Sequence, residues 1–318
     1  MKADLHIHST CSDGLLTRKE GVNIATMSKA RIISFTDHNF FVRDTTYQEL
    51  LREHGIIEIP GVEVSAGLSN GRELHITGHG MEDVGKDLQD YFLDYSDKKS
   101  FQTELRCIES VRNPLVLRNG QRISVEFEEL FKEGKETYFW NEIAYVLAVK
   151  YNKVKHERDP IMSIKDARDL LVAEDGIHDK FKGTIINLEN EQRIWPVTFK
   201  IEYMPVSDIT SYIKDYGGIP GLAHPGEQKF GQEDIEMLAK EGIEALEVYS
   251  PKNNRHGFTI EGYLKIAQEL GLLISGGTDF HYSTRDHELG VIVNRAEDGS
   301  VTRSTITRDQ LTILDRLL

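Results

Sequence analysis

The sequence predicts an α/β fold, a distorted (β/α)7 barrel interrupted by a mostly helical insertion. Three observations carry that expectation. Short β-type runs alternate with helical patterns over the first eighty residues, and the alternation returns after residue 206. In both stretches, histidines and carboxylates stand at or near the C-terminal ends of the apolar runs. Strands separated by helices argue for parallel strands in βαβ units. Parallel barrels gather their chemistry on the rim where the strands end.

The chain opens on Ala3-Asp4-Leu5-His6-Ile7-His8, whose alternation puts Asp4, His6 and His8 on one face. Thr17-Arg18-Lys19-Glu20 follows as a capping box in front of Val22, Ile24, Ala25 and Met27. Arg31 to Thr36 reads as a second strand, residues 44–54 as a second helix, Ile56 to Val64 as a third strand and Leu74 to Gly78 as a fourth. Later, Ser207 can cap a helix carrying Ile209, Tyr212, Ile213 and Tyr216, which Gly217-Gly218 stops before a strand running to Ala223. Helices near 232–241 and 259–270 then separate strands at 243–249 and 272–276. In between, Leu88, Tyr91, Phe92 and Tyr95, then Phe101, Leu105 and Ile108, keep helical spacing, and Ser163-Ile-Lys-Asp166 looks like another helix start. The expected organisation is a barrel from residues 1–81 and 206–318, with residues 82–205 inserted as a mostly helical substrate cap.

Composition narrows the class. The 318 residues are 39% hydrophobic and 28% charged with 8 Pro, which excludes a collagen-like, low-complexity or wholly disordered chain. Against 38 Lys and Arg stand 52 Asp and Glu, a net charge of -14. Non-specific binding to nucleic acid or to an anionic membrane is therefore not expected. Two cysteines, Cys11 and Cys107, rule out a disulfide framework and point to a reducing cytoplasm. No signal-like N-terminal stretch and no run of roughly 18 apolar residues is present, so a membrane span is not expected. Oligomeric state is not legible.

The chemistry lies in where the titratable residues fall. His6 and His8, two apart on a strand, project to the same side and can share a metal ion. Ser12-Asp13-Gly14 follows in a loop. The second strand ends in Thr36-Asp37-His38, the third holds Pro60-Gly61-Val62-Glu63, and the fourth carries His75 and His79 on one face. His224-Pro225, Glu247-Val248-Tyr249 and Asp279-Phe280-His281 come later. Imidazoles and carboxylates meeting at one barrel mouth are costly to bury without cations. A nitrogen and oxygen donor set suits Zn, Mn or Fe.

These motifs together resemble the PHP (polymerase and histidinol phosphatase) metal-dependent phosphoesterases, over about residues 1–80 and 206–290. The resemblance implies a distorted seven-stranded barrel with up to three divalent transition metal ions. It implies that His6, His8, Glu63 and Asp279 hold the first ion, and that Glu63 bridges to a second held also by His75 and His224. Asp13, His38 and His281 would hold the third. His75 is preferred to His79, and Glu247, Asp4 and Asp37 are assigned supporting roles.

The implied reaction is hydrolysis of a small phosphate ester by metal-activated hydroxide, with Asp13, His38, Glu63 and Asp279 as the catalytic set. Lys252, Arg255 and His256, in the loop after Tyr249, and Arg285 are the candidate substrate contacts, since arginine suits bidentate phosphate binding. Asp13 stands where histidinol phosphate phosphatases usually carry histidine. That favours a nucleotide, nucleoside bisphosphate or cyclic phosphate over histidinol phosphate. The rival readings are an amidohydrolase-like C–N hydrolase and a non-catalytic metal-dependent binding module.

Overall fold

Strand β1 (Lys2–Ile7) buries both of its faces. Ala3, Leu5 and Ile7 enter apolar clusters, while Asp4 and His6 on the other face, and His8 just beyond the strand, are no more than 1% exposed. The alternation read from the sequence is present, but its polar side meets other polar side chains in place of water. The computed structural model describes all residues except 44–45, 132–134, 136, 173–176, 187–194, 196–198, 283–287 and 296–299.

Helix α1 (Arg18–Ser28) starts on the predicted capping box: Glu20 N donates to the Thr17 hydroxyl, and Thr17 N donates to the Glu20 carboxylate at 2.8 Å. It leads into β2 (Ala30–Phe35), which pairs in parallel with β1. After α2 (Gln48–His54), the run expected as one strand is two, β3 (Ile57–Glu58) and β4 (Gly61–Gly67). The break falls at Pro60, which has no N–H for a ladder. Strand β5 (Glu73–His79) follows, then the long helix α3 (Lys86–Arg112).

Within 113–201 lie the two-stranded hairpin of β6 (Leu115–Val116) and β7 (Arg122–Ile123), and helices α4 (Trp140–Val154), α5 (Ile164–Val172) and α6 (Ile177–Phe181). The βα rhythm then resumes. It runs through α7 (Val206–Asp215), β8 (Ile219–Leu222), α8 (Gln232–Lys240), β9 (Ala245–Tyr249), α9 (Ile260–Leu270) and β10 (Leu273–Gly276). An antiparallel pair, β11 (Val291–Arg295) and β12 (Val301–Thr305), and the short α10 (Leu314–Leu317) complete the chain. Helix α7 begins one residue before Ser207, with Pro205 at the cap position.

The strands form one sheet ordered β1-β2-β3 and another ordered β10-β9-β8-β5-β4. Strand β5 corrects the all-parallel expectation, because it runs antiparallel to both β4 and β8. The physical reason is its connection. Leu68–Arg72 is a tight turn, closed by Leu68 N donating to Arg72 O at 2.9 Å, whereas a parallel pair needs a crossover of a dozen or more residues. The sheets approach each other at their ends: Ile7 bridges Phe280 and His38 bridges Glu63, both in parallel sense.

By contacts the chain splits into two units, Met1–Leu93 with Glu202–Leu318, and Asp94–Ile201. The first unit packs Val62, Val64, Ile76, Leu222, Leu246 and Val248 from the strands against helix residues. Helix α7 shows the pattern, burying Val206, Ile209, Thr210 and Ile213 at the spacing of one helical face. Each buried aliphatic side chain contributes about 1.5–3 kcal/mol. Leu88, Tyr91 and Phe92 of α3 belong to this core, so the division falls inside that helix. The second unit has its own core around Tyr151, Phe181 and Trp195. Among the described residues no helix is long and apolar enough to cross a membrane.

Candidate metal centre

The strand ends deliver the titratable residues to one place. His6 lies on β1 and His8 just beyond it. His38 follows β2, Glu63 lies in β4, His75 in β5 and Glu247 in β9, while His224 follows β8, and Asp279 and His281 follow β10. Asp13 comes from a loop that folds back on β1. A Cβ at Gly14 would lie 2.4 Å from the carbonyl oxygen of His8, so only glycine permits that return. His224 and Asp279 have φ angles of 26° and 51°. Such conformations in non-glycine residues cost roughly 1–3 kcal/mol and are retained where function needs them.

Glu63 is the hub, and it is fully buried. Its Oε2 faces His6 Nε2, His8 Nε2 and His38 Nδ1, each at 3.1 Å. Its Oε1 faces His75 Nδ1 at 3.1 Å and His224 Nε2 at 2.9 Å. Asp279 Oδ1 lies 2.9 Å from His8 Nε2 and 3.5 Å from His6 Nε2. Asp13 Oδ1 lies 3.0 Å from His281 Nε2, 3.6 Å from His8 Nδ1 and 3.8 Å from His38 Nε2. Glu247 Oε2 lies 2.6 Å from His6 Nδ1, which leaves His6 Nε2 facing Glu63. Asp4 supports the chain from below, accepting from the Thr278 hydroxyl and from the backbone N–H groups of His6, Thr278 and Gly290.

Among the described residues, four groups have ligand atoms within 4.8 Å of one another: His6, His8, Glu63 and Asp279; His8, Asp13, His38 and His281; His38, Glu63 and His75; and His224, Glu227 and Asp279. His79 joins none of them among the described residues. It is buried beside the Ser34 hydroxyl, and burial together with the charge on His6 pushes it down to about 3.

Burial opposes charge on Asp13, Glu63, Asp279, His8 and His75, yet their partners outweigh it. His281 and His38 hold Asp13, His6 holds Glu63, and Lys252 holds Asp279 well below the usual carboxylate range. Against the same burial, Asp279 and Glu63 lift His8 to about 10, and Glu63 lifts His75 to about 10. His38 falls to about 3, because its desolvation and the neighbouring imidazoles outweigh Glu63 and Asp13. Protons on imidazoles thus balance the carboxylates in a metal-free cluster, a task divalent cations perform without charging the histidines. Glu63 Oε2 and Asp279 Oδ1, both buried, make no aligned hydrogen bond despite these close nitrogens. Orphaned carboxylate oxygens ringed by imidazoles fit bound cations.

The candidate substrate residues are placed unevenly. Lys252 is drawn into the cluster, bonding Asp279 Oδ2 and, at 2.6 Å, Glu227. Arg255 is more exposed and bonds Glu227 at 3.0 Å. His256 is exposed in the same turn with φ of 55°. Arg285 lies outside the described residues. Glu227 was not singled out from the sequence, although it stands three residues after His224. Asn253 joins its turn to the Lys252 loop, donating to Glu247 O and Val248 O and accepting from Gly226 N.

No family model matches the chain. It is 25% identical over 289 residues, 88% of this chain and 94% of the relative, to a phosphoribosyl 1,2-cyclic phosphate 1,2-diphosphodiesterase of Eggerthella lenta. It is 24% identical over 288 residues, 87% of this chain and 86% of the relative, to a 3',5'-nucleoside bisphosphate phosphatase of Chromobacterium violaceum. A solved structure described as a metal-dependent phosphoesterase, from Bifidobacterium adolescentis, superposes with a TM-score of 0.67 at 18% identity, over 99% of this chain and 95% of that one, so the fold is shared. Relatives of nearly full length that cleave phosphate esters, with a buried histidine and carboxylate cluster at the strand ends, define a metal-dependent phosphoric ester hydrolase. Along most of its length the chain is similar to these phosphate ester hydrolases.

Proposed function

We propose that the substrate is a small phosphorylated metabolite of the nucleotide, nucleoside bisphosphate or cyclic phosphate class, cleaved in a reducing cytoplasm at a centre of three divalent transition metal ions. The observation that carries this reading is Glu63, whose two oxygens each face a different set of imidazoles. Glu63 would serve a first ion with His6, His8 and Asp279 and a second with His75 and His224. Asp13, His38 and His281 would hold a third. Zn, Mn or Fe suits these donors. Divalent ions held by these residues would lower the pKa of a bound water and offset charge on the phosphoryl oxygens. We read the two sheets, joined at Ile7–Phe280 and His38–Glu63, as one distorted barrel around this centre, seven-stranded when β3 and β4 count as one strand broken at Pro60.

The chain's own groups orient and protonate. Lys252 presents a cation beside Asp279 and Arg255 one beside Glu227, where phosphate oxygens would be gripped. Asp13 Oδ1 and His281 Nε2 lie 3.0 Å apart, and water oriented beside them would give the leaving oxygen its proton, since both side chains would be ligands and Asp13 stays ionised. The two relatives named for cyclic phosphate and bisphosphate substrates support the substrate class. The test is phosphate release by metal-loaded protein from nucleoside monophosphates, nucleoside bisphosphates, cyclic phosphates, sugar phosphates and histidinol phosphate. A nucleotide or cyclic phosphate is expected to show the highest kcat/KM. Histidinol phosphate at or above every other compound would overturn the substrate class.

A further inference from the structure

Arg18 is the first residue of α1, where a cation opposes the positive end of the helix dipole. It is nonetheless 6% exposed, and Asp37, its partner, is fully buried. Arg18 Nε and Nη2 donate to Asp37 Oδ2 at 3.1 and 2.9 Å, and Nη1 donates to Val42 O at 3.0 Å. The guanidinium carbon lies 5.5 Å from the centre of the Phe35 ring and 5.9 Å from that of Phe40. Among the described residues, neither charge belongs to a metal-ligating group.

What Asp37 holds on its other side gives the pair a purpose. Its Oδ1 accepts from Ser9 N at 2.7 Å, from the Ser9 hydroxyl at 3.0 Å and from the Ser12 hydroxyl at 2.8 Å. Ser12 Oγ lies 3.3 Å from His8 Nδ1, and Asp13 is the next residue. Asp37 itself immediately precedes His38. One buried ion pair therefore fixes both the loop that presents Asp13 and the strand end that presents His38.

We propose that Arg18 is a positioning residue. Through Asp37 it sets the spacing of Asp13 and His38, and so governs whether the Asp13–His38–His281 group holds its ion. The proposal rests on the metal-centre reading above. Partners of this kind are worth about 10- to 100-fold in metal affinity.

Metal-free protein titrated calorimetrically with Mn(II), with elemental analysis after desalting, tests it on wild type, Arg18→Met, Arg18→Lys and the double variant Arg18→Met with Asp37→Asn. In Arg18→Met, one class of ion is expected to weaken about 10- to 100-fold while the others keep wild-type affinity. Arg18→Lys, which keeps the charge but loses the fork, should fall between. The double variant leaves no lone buried charge, so it should regain the wild-type thermal midpoint without regaining the weakened ion.

Arg18→Met with wild-type affinity for every ion overturns the proposal. So does uniform loss of all ions that the double variant restores together with the thermal midpoint, since the pair would then be structural alone. Wild-type protein that takes up no Mn(II) sinks the metal-centre reading and this proposal together, whereas normal uptake by wild type and Arg18→Met alike sinks only this one.

Discussion

At the residue scale, Glu63 shows how one carboxylate can organise a site. A carboxylate buried without compensation would become protonated, but the imidazoles ranged about both its oxygens keep it ionised. Glu63→Gln keeps the shape and removes the charge. Turnover is expected to fall by orders of magnitude together with metal content, read by steady-state kinetics beside elemental analysis. Near-normal turnover and metal content would move the active site elsewhere. Arg255 reaches Glu227 from a half-exposed position. Arg255→Ala should leave metal content intact and raise KM by up to roughly tenfold with little change in kcat, as for a contact of uniform binding in a screened position.

At the element scale, helix α5 in the second unit has a cap that doubles as an ion pair. Ser163 N and its hydroxyl donate to Asp166 at 2.7 Å, and Lys180 donates to the same oxygen at 2.5 Å. Burial would raise the Asp166 carboxyl, but Lys180 and Ser163 outweigh it and hold the group below its ordinary value. A folded value below the unfolded one means that the contribution is fully present above an unfolded pKa of about 3.9. It is lost as pH falls through the folded value. Asp166→Asn is therefore expected to melt below wild type at pH 7, by about 1 kcal/mol in stability, with the gap closing below about pH 4. Thermal scans across pH check this, and a gap that widened on acidification would contradict it.

At the scale of the whole molecule, the chain carries a net charge of -14 and concentrates carboxylates and imidazoles from residues 6 to 281 in one cluster. Cations held there bind the folded state, because the unfolded chain scatters the donors. Chelator treatment is expected to abolish turnover and lower the thermal midpoint. Each ion at 100-fold excess over its Kd adds about 2.7 kcal/mol of stability that chelation removes. Restored midpoint and turnover on adding Mn(II) or Zn(II) complete the check. An unchanged midpoint with and without chelator would show that the cluster folds on protons alone.

What the sequence determined is local. The Thr17–Glu20 box and the Ser163–Asp166 start depend on residues three apart, and both form the predicted caps. The His6 and His8 pair depends on strand alternation, and His38, His224, Asp279 and His281 gather because parallel strands end on one rim, whereas Glu63 and His75 lie early in β4 and in the antiparallel β5. Other features were decided only by tertiary structure. Strand β5 reverses because of one short turn, although its own residues read as well in either direction. The polar face of β1 is buried because other strand ends close over it, so a pattern that alone suits a solvated edge becomes part of a buried cluster of side chains able to ligate metal. Glu227 and the Arg18–Asp37 pair were not recognised from spacing, since each acts on partners brought near by the fold: Lys252 and Arg255 for one, the Ser9 to Asp13 loop for the other. Spacing along a chain sets which side chains share a face. Whether that face meets water, and which charges stand opposite it, is set by long-range pairing and by the desolvation that pairing imposes.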